Sequence, residues 1–411
     1  MRFCMLTTFF GGESFGGDAI FVDRLSRALV ERGHSVDVVH CRDAYRAVRG
    51  PHRPQAYTPP DGVRVHTLES PLGRMSPLWT HQTAGPGPKA RSLRRLLAEG
   101  DFDVVHVHNV SLLGLRFLEE LRGLTRGVTL MTAHEHWLIC PTHVLWKNDR
   151  EPCVEPECVR CTLQARRPPQ LWRRNGTIPK AIEALDGLMF PSGDALARHR
   201  ARGIGATAVA IPYFIPAAWA ATGAVPVADH RPYIAAAGRL IRPKGFQRLI
   251  PLMRELPDLD LRIAGGGSLE RELRALGRSL PNVHFEGWLD ATGLVALFRG
   301  ARAVVVPSLS PETFGFVAAE ALALGRPVVV HDIGAIASLA RESGGGIVYG
   351  RDEELVDALR LLGSDTRLGD ELGARGAAYA ADELSEERHL ERYLGLIGSL
   401  RGAPQPLAVG A

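Results

Sequence analysis

Apolar positions along the chain alternate between two patterns. Short β-branched runs bounded by Gly, Pro or Asp read as buried strands. Longer stretches with apolar residues every three or four positions read as helices. In the first half, Phe3 to Thr8 predicts a strand, FFGGESFGG a loop, Ala19 to Arg32 a helix ended by Gly33, and SVDVVH a second strand. VRVHTL, DVVHVH, VTLMTA and GLMFPS predict further strands. The unit restarts at Tyr233 with YIAAAG, the loop RLIRPKG, a helix from about Phe246 and the strand LDLRIAG. VHFEG, AVVVPS, PVVVHD and GIVYG complete the second half. Strand, glycine loop, helix and strand is the unit of a parallel sheet covered on both faces. The expected fold class is α/β, with two Rossmann-like, doubly wound parallel-sheet domains. Residues 1–220 predict the first domain, 221–232 a linker of turn-rich composition, and 233–382 the second domain. Residues 383–400 predict a helix crossing back to the first domain, and 401–411 a disordered tail.

At 411 residues the chain exceeds one ordinary core. A net charge of +4 is small for this length and argues against a dedicated nucleic-acid binder. No apolar run reaches the roughly 18 residues of a membrane-spanning helix. The opening MRFCMLTTFFGG breaks into a glycine loop without a cleavage site, so it reads as a first buried strand rather than a signal peptide. The expected compartment is the cytoplasm.

The most chemically informative stretch runs from Ala303 to Val330. Its helix, FVAAEALAL, is apolar all round except for Glu320. Such a helix is buried, and a carboxylate there needs a partner; a sugar diol would serve. Glu312 stands eight residues earlier in the loop that enters the helix. The free N–H groups of that entry, Thr313, Phe314, Gly315 and Phe316, form an anion site that could cradle a phosphate. Arg239 and Lys244, in GRLIRPKG at a strand's carboxyl end, suit a pyrophosphate leaving group or are a solvated surface pair. Gly266, within a glycine triplet before Ser268, lines the nucleotide side or simply makes a turn. Trp288, in EGWL, meets a base or fills a core. Gly16 and Gly17 let backbone approach a ligand from the opposite wall or form a plain turn. His134, at the end of VTLMTA, touches the reacting sugar or is structural, and His106 and His108 carry the same ambiguity. The pairs Asp101/Asp103 and Asp258/Asp260 precede strands, the wrong edge for a catalytic metal, and read as turn acids.

Cys4 and Cys41 read as buried inert thiols. Cys140, Cys153, Cys158 and Cys161, spaced C-x12-C-x4-C-x2-C, suit a structural tetrahedral zinc. Free thiols, disulfides or an iron–sulfur cluster are the alternatives. The insertion that carries them, 137–174, reads as an acceptor-side lid or as a knob on the first domain. In KARSLRRLL, Arg91, Arg94 and Arg95 share one helical face and Leu93, Leu96 and Leu97 another; this suits an anionic lipid surface or an ordinary surface helix.

Taken together these segments resemble the family-4 retaining glycosyltransferases. The resemblance rests on PETFGFVAAEALALGRPVVV with its E-x7-E spacing, and on the FGG loop, LVERGHSVDVV, DVVHVHN, GRLIRPKG and VHFEGWLD in the family's order. It implies the glycosyltransferase-B fold, whose two Rossmann domains face each other across a cleft. It implies a UDP- or GDP-type sugar donor on the second domain, and an acceptor hydroxyl on the first, in polysaccharide, glycolipid or secondary-metabolite synthesis. By the same resemblance Glu312 contacts the donor sugar, Glu320 holds the ribose, and Arg239 and Lys244 bind the diphosphate. Gly17 and His134 approach from the other domain, and no cofactor is needed for catalysis; apart from the resemblance, the basic helix above allows peripheral contact with the inner membrane face. One departure stands out: beyond PVVVHD the family usually has a Gly-Gly-x-Pro-Glu type of loop, where this chain reads IGAIASLA, 333–340. The rival readings are a same-fold sugar-nucleotide epimerase or phosphorylase, and a zinc-stapled nucleic-acid-binding protein.

Overall fold

The β-branched runs become strands because each is buried on both faces. A computed structural model describes residues 1–49, 53–217, 219 and 231–402. The expected linker therefore lies mostly outside the described residues, as does nearly all of the expected tail. The first half contains strands β1 (Arg2–Leu6), β2 (Ser35–Cys41), β3 (Val63–Leu68), β4 (Val104–Val107) and β5 (Val128–Thr132). A small antiparallel hairpin follows inside the insertion, β6 (Trp146–Lys147) with β7 (Glu151–Pro152); β8 (Gly187–Phe190) and β9 (Val209–Ala210) then return to the sheet. The second half contains β10 (Tyr233–Ala237), β11 (Asp260–Ala264), β12 (Val283–Gly287), β13 (Ala303–Val306), β14 (Val328–His331) and β15 (Gly346–Tyr349).

Both large sheets are parallel. Their orders are β3-β2-β1-β4-β5-β8-β9 and β12-β11-β10-β13-β14-β15. The direction of winding reverses between β1 and β4 and between β10 and β13, the places where such sheets bind ligands. Phe3, Cys4 and Met5 of β1 are fully buried, as the apolar run requires of a central parallel strand. The hairpin and the two-residue β9 have too little pattern to be read from sequence.

The halves share one apolar cluster. Phe21, Tyr213 and Phe214 of the first half and Phe314, Ala318 and Leu322 of the second belong to it. The last described helix, Glu386–Gly402, lies against the first sheet. The fully buried Tyr393 hydroxyl bonds His106 Nδ1 at 2.9 Å, and Arg401 pairs with Asp103 at 2.6 Å. Where this helix is reached, Ile215 N donates to Leu384 O at 2.9 Å, and His389 Nδ1 meets Pro212 O at 2.6 Å.

Candidate functional site

The loop after β10 carries Arg239 and Lys244. A short turn, Arg242–Lys244, ends at Gly245 with φ +77°, where an added Cβ would stand 1.9 Å from Pro307 O. Only glycine fits there, and it turns the lysine toward the loop after β13. Lys244 Nζ lies 2.7 Å from Glu312 Oε1, and the Ser308 hydroxyl donates to the same oxygen. Burial alone would raise the Glu312 carboxyl, but the Lys244 charge, these two hydrogen bonds and the Arg239 charge together hold it below its ordinary 4.5. Arg239 is exposed, and its charge also acts on Glu135 of the first half, which places the guanidinium in the cleft.

The helix Phe316–Ala323 begins at Gly315, φ +88°, where a Cβ would meet Ile336 Cγ2 at 2.4 Å. Ala318, Ala319, Ala321 and Leu322 are fully buried. Glu320 reaches out of this apolar body to Arg24 of the helix Gly17–Glu31, Nη2 to Oε1 3.0 Å.

The first half grips the entry to this helix at several points. A Cβ on Gly17 would stand 2.9 Å from the Phe316 ring, so glycine permits the close approach. Gly16 is exposed at φ +85° and begins the Gly17–Glu31 helix two residues ahead of the expected start. Thr313 Oγ1 donates to the His134 carbonyl at 2.7 Å, and His136 Nε2 meets Pro311 O at 3.1 Å. Phe314 packs on Tyr213 at 4.9 Å between ring centroids.

His134 is buried and its ring is fully engaged within the first half. Nε2 faces His108 Nδ1 at 2.9 Å, and Nδ1 bonds the Tyr213 hydroxyl. Burial pushes it down to about 3, so the ring is neutral. In this structure its backbone carbonyl, not its imidazole, meets the second half. Next to it, Glu135 is partly exposed and pairs with His143 of the insertion. Burial works against ionisation, yet His143 and Arg239 hold Glu135 below its ordinary value. Asp18, which accepts from Asn109 Nδ2 at 3.1 Å, is pushed up to about 6, first by burial and then by the Glu135 charge. A small cavity of about 20 Å³, room for one water, is lined by His108, Asn109, His134, Glu135 and Trp137 among others. Sequence reading passed over Arg24, Asp18, Asn109, Glu135 and Tyr213. The available signals were slight: Asp18 follows Gly-Gly at a helix start, and Glu135 sits between two histidines at a strand end.

The remaining candidates sort by geometry. In the glycine triplet, a Cβ on Gly265 would lie 2.0 Å from Gly238 O and one on Gly267 2.5 Å from Leu240 O. Those two glycines let neighbouring loops touch, whereas a Cβ on Gly266 would meet only Glu270 Oε2, at an ordinary 3.7 Å. Trp288 is 72% exposed, so it fills no core and stands free for a ligand. Asp103 and Asp260 sit at strand starts, Asp103 in an ion pair with Arg401 and Asp260 with its Oδ2 3.3 Å from His284 Nε2. In the helix Ala90–Gly100, Leu93 and Leu97 are buried and Arg94 is held by both oxygens of Glu120. Of the two readings offered for this helix, the ordinary surface helix is the one that its buried leucines match.

The structure does not show the zinc site that the cysteine spacing suits. All six cysteines are free, and among the described residues no three Cys, His, Asp or Glu side chains come together as a metal-binding group. Cys140 is buried against Thr142, while Cys158 is exposed on the short helix Cys158–Gln164, which projects into solvent. The insertion does reach the second half: Asp149 Oδ2 lies 3.6 Å from Arg242 Nε. No helix among the described residues is long and apolar enough to cross a membrane.

Two facing Rossmann-type sheets, with a lysine–glutamate pair and an exposed arginine at the cleft, have the architecture of the glycosyltransferase-B fold. Residues 15–219 match the model described as Glycosyltransferase Family 4, and residues 221–379 match that of Glycosyl transferases group 1. The chain belongs to the family-4 glycosyltransferases and is a glycosyltransferase of hexosyltransferase type. A phosphatidyl-myo-inositol mannosyltransferase of Mycobacterium leprae is 26% identical over 302 residues, 69% of this chain and 70% of that protein. A D-inositol 3-phosphate glycosyltransferase of Pseudarthrobacter chlorophenolicus is 27% identical, covering 84% of this chain and 80% of its own. Among solved structures, sucrose-phosphate synthase from Thermosynechococcus elongatus superposes with a TM-score of 0.74 at 22% identity, covering 98% of this chain and all of that one. Anabaena HepE in complex with UDP-glucose superposes at 0.69 and 16% identity, covering 97% of this chain and all of that one. Family membership sets aside the nucleic-acid-binding reading.

Proposed function

We propose that this glycosyltransferase is retaining and uses a UDP- or GDP-type sugar. The observation that carries this reading is the convergence of Lys244, Glu312 and Arg239 at the carboxyl edge of the second sheet, opposite Glu135. The donor diphosphate would take Lys244 and Arg239, which gain as charge builds on the leaving group. Glu312 would orient the sugar and Glu320 the ribose. The acceptor hydroxyl would enter from the side of Glu135 and Asn109. Its oxygen bonds to the anomeric carbon on the face the diphosphate leaves, the carbon–phosphate-oxygen bond breaks, and the hydroxyl proton passes to the departing phosphate. Complexes of HepE with UDP and UDP-glucose support a nucleotide-sugar donor, and the inositol-lipid and inositol-phosphate relatives point to a lipid-linked or saccharide-like acceptor. No cofactor enters these steps. Incubation with UDP-, GDP- and dTDP-sugars, reading which nucleotide is released and the anomeric configuration of the product, tests the reading. Inversion of configuration, or turnover of none of the donors, overturns it.

The insertion fits a lid over the acceptor side, held by Asp149 to Arg242. Cys140, Cys153, Cys158 and Cys161 act on one another electrostatically, so they are neighbours without being assembled. A structural zinc would have to draw them inward, and elemental analysis of the wild type and of Cys158→Ser/Cys161→Ser decides it. Peripheral membrane contact fits best where Met75, Leu78, Trp79, Leu163 and Leu171 are exposed beside Arg74, Arg166 and Arg167. Trp172 Nε1 ties these two segments together through His81 O at 2.9 Å. Co-sedimentation with anionic vesicles tests this surface.

A further inference from the structure

The Arg24–Glu320 pair crosses the boundary between the halves and has no counterpart in the roles assigned above. Both side chains are nearly buried, 12% and 10% exposed, and they meet at 3.0 Å. The guanidinium lies over the rings of Phe316, at 5.4 Å, and Trp219, at 5.9 Å, which fix its direction. Its Nη1 is buried without a hydrogen-bond partner among the described residues, so it retains hydrogen-bonding capacity. On Glu320 only Oε1 is taken; Oε2 accepts no hydrogen bond among the described residues. A carboxylate gripped at one oxygen, with the other free, is set for a second partner.

We propose that Arg24 is a positioning residue for the donor. It keeps Glu320 charged and turned so that Oε2 accepts from the ribose hydroxyls, and it ties that grip to the first domain. The inference rests on the ribose role proposed for Glu320. Its physical basis is a balance at a buried acid. Burial raises the Glu320 carboxyl, and Arg24, through its charge and hydrogen bond, is what opposes it. Among the described residues, no other charged group on its own helix or on the elements packed around it acts on this carboxyl, and the flanking Phe316 and Trp219 are neutral. Without the guanidinium the acid would hold its proton to higher pH, and a protonated carboxyl loses acceptor capacity for a diol.

The test is calorimetric titration of UDP and GDP, from pH 6 to 9, into wild type, Arg24→Gln, Arg24→Lys, Glu320→Gln and the Arg24→Gln/Glu320→Gln double variant. Arg24→Gln should weaken nucleotide binding by about tenfold or more at pH 7, the scale of a lost charged hydrogen bond, and by less at pH 9. The donor KM should rise more than kcat falls. Arg24→Lys should bind more tightly than Arg24→Gln, and the double variant should bind no worse than Glu320→Gln alone. Arg24→Met replaces Arg24→Gln if thermal melts show that the latter does not fold. Wild-type affinity of Arg24→Gln at every pH, or full additivity in the double variant, overturns the proposal while leaving the ribose role standing. Wild-type affinity of Glu320→Gln overturns both.

Discussion

Lys244 shows how one side chain holds two jobs. In the structure it neutralises Glu312 at 2.7 Å; during reaction it would also meet the leaving diphosphate. Lys244→Ala therefore removes a positive charge where negative charge develops and leaves Glu312 buried without its ion-pair partner. Turnover should fall by roughly 100-fold or more, the scale for losing one preorganised stabiliser, with a cooperative thermal melt retained. Near-normal kcat in a donor-hydrolysis or transfer assay would refute the role. Lys244 and Glu312 were legible in the sequence because each lies in a short motif at a strand's carboxyl end. Arg24 and Asp18 were not, because their meaning comes from partners far along the chain: Arg24 answers to Glu320 and Asp18 to Asn109. No local pattern encodes such a pairing.

At the scale of elements, the two βα loops after β10 and β13 work as a unit. Gly245 is their contact, because its missing side chain leaves room for the Pro307 carbonyl and its φ of +77° turns the chain there. Gly245→Ala adds the strain of a left-handed residue, about 1–3 kcal/mol, to a direct clash. We expect a lowered melting temperature and a loss of donor affinity, both read on the same preparation; unchanged values in both would show that the loops move independently. The strands of the two large sheets and their parallel, doubly wound class followed from apolar runs and glycine loops. The insertion did not: its hairpin strands are two residues each, and among the described residues its four thiols do not come together as a metal-binding group.

Across the whole molecule, stability should depend on pH through buried imidazoles. His106 and His108 are held well below 6.5 by burial, His134 and His136 at about 3, and His199 and His389 at about 4. Below pH 6.5 the unfolded chain takes up protons that the folded chain refuses until near pH 4 or lower. Stability therefore rises with pH through this window and is lost as pH falls, by up to about 1.4 kcal/mol per pH unit for each ring. Asp18, raised from 3.8 to about 6, works in the opposite sense and offsets part of this. The melting temperature should drop steeply between pH 6.5 and 5; a flat profile there, measured by calorimetry, would mean that the rings are not neutral and buried.

The bond between Ile215 N and Leu384 O places the outgoing and returning passages of the chain side by side. The contact from His389 to Pro212 O ties the same two passages a second time, and strands of rope bound side by side make a hinge, not a slide. We expect any opening of the mouth to be a rotation about that hinge, with the rim travelling farthest and the tied edge scarcely at all. A cysteine pair introduced beside the hinge should leave catalysis running after oxidation, whereas one bridging the rim should stop it until a reductant is added.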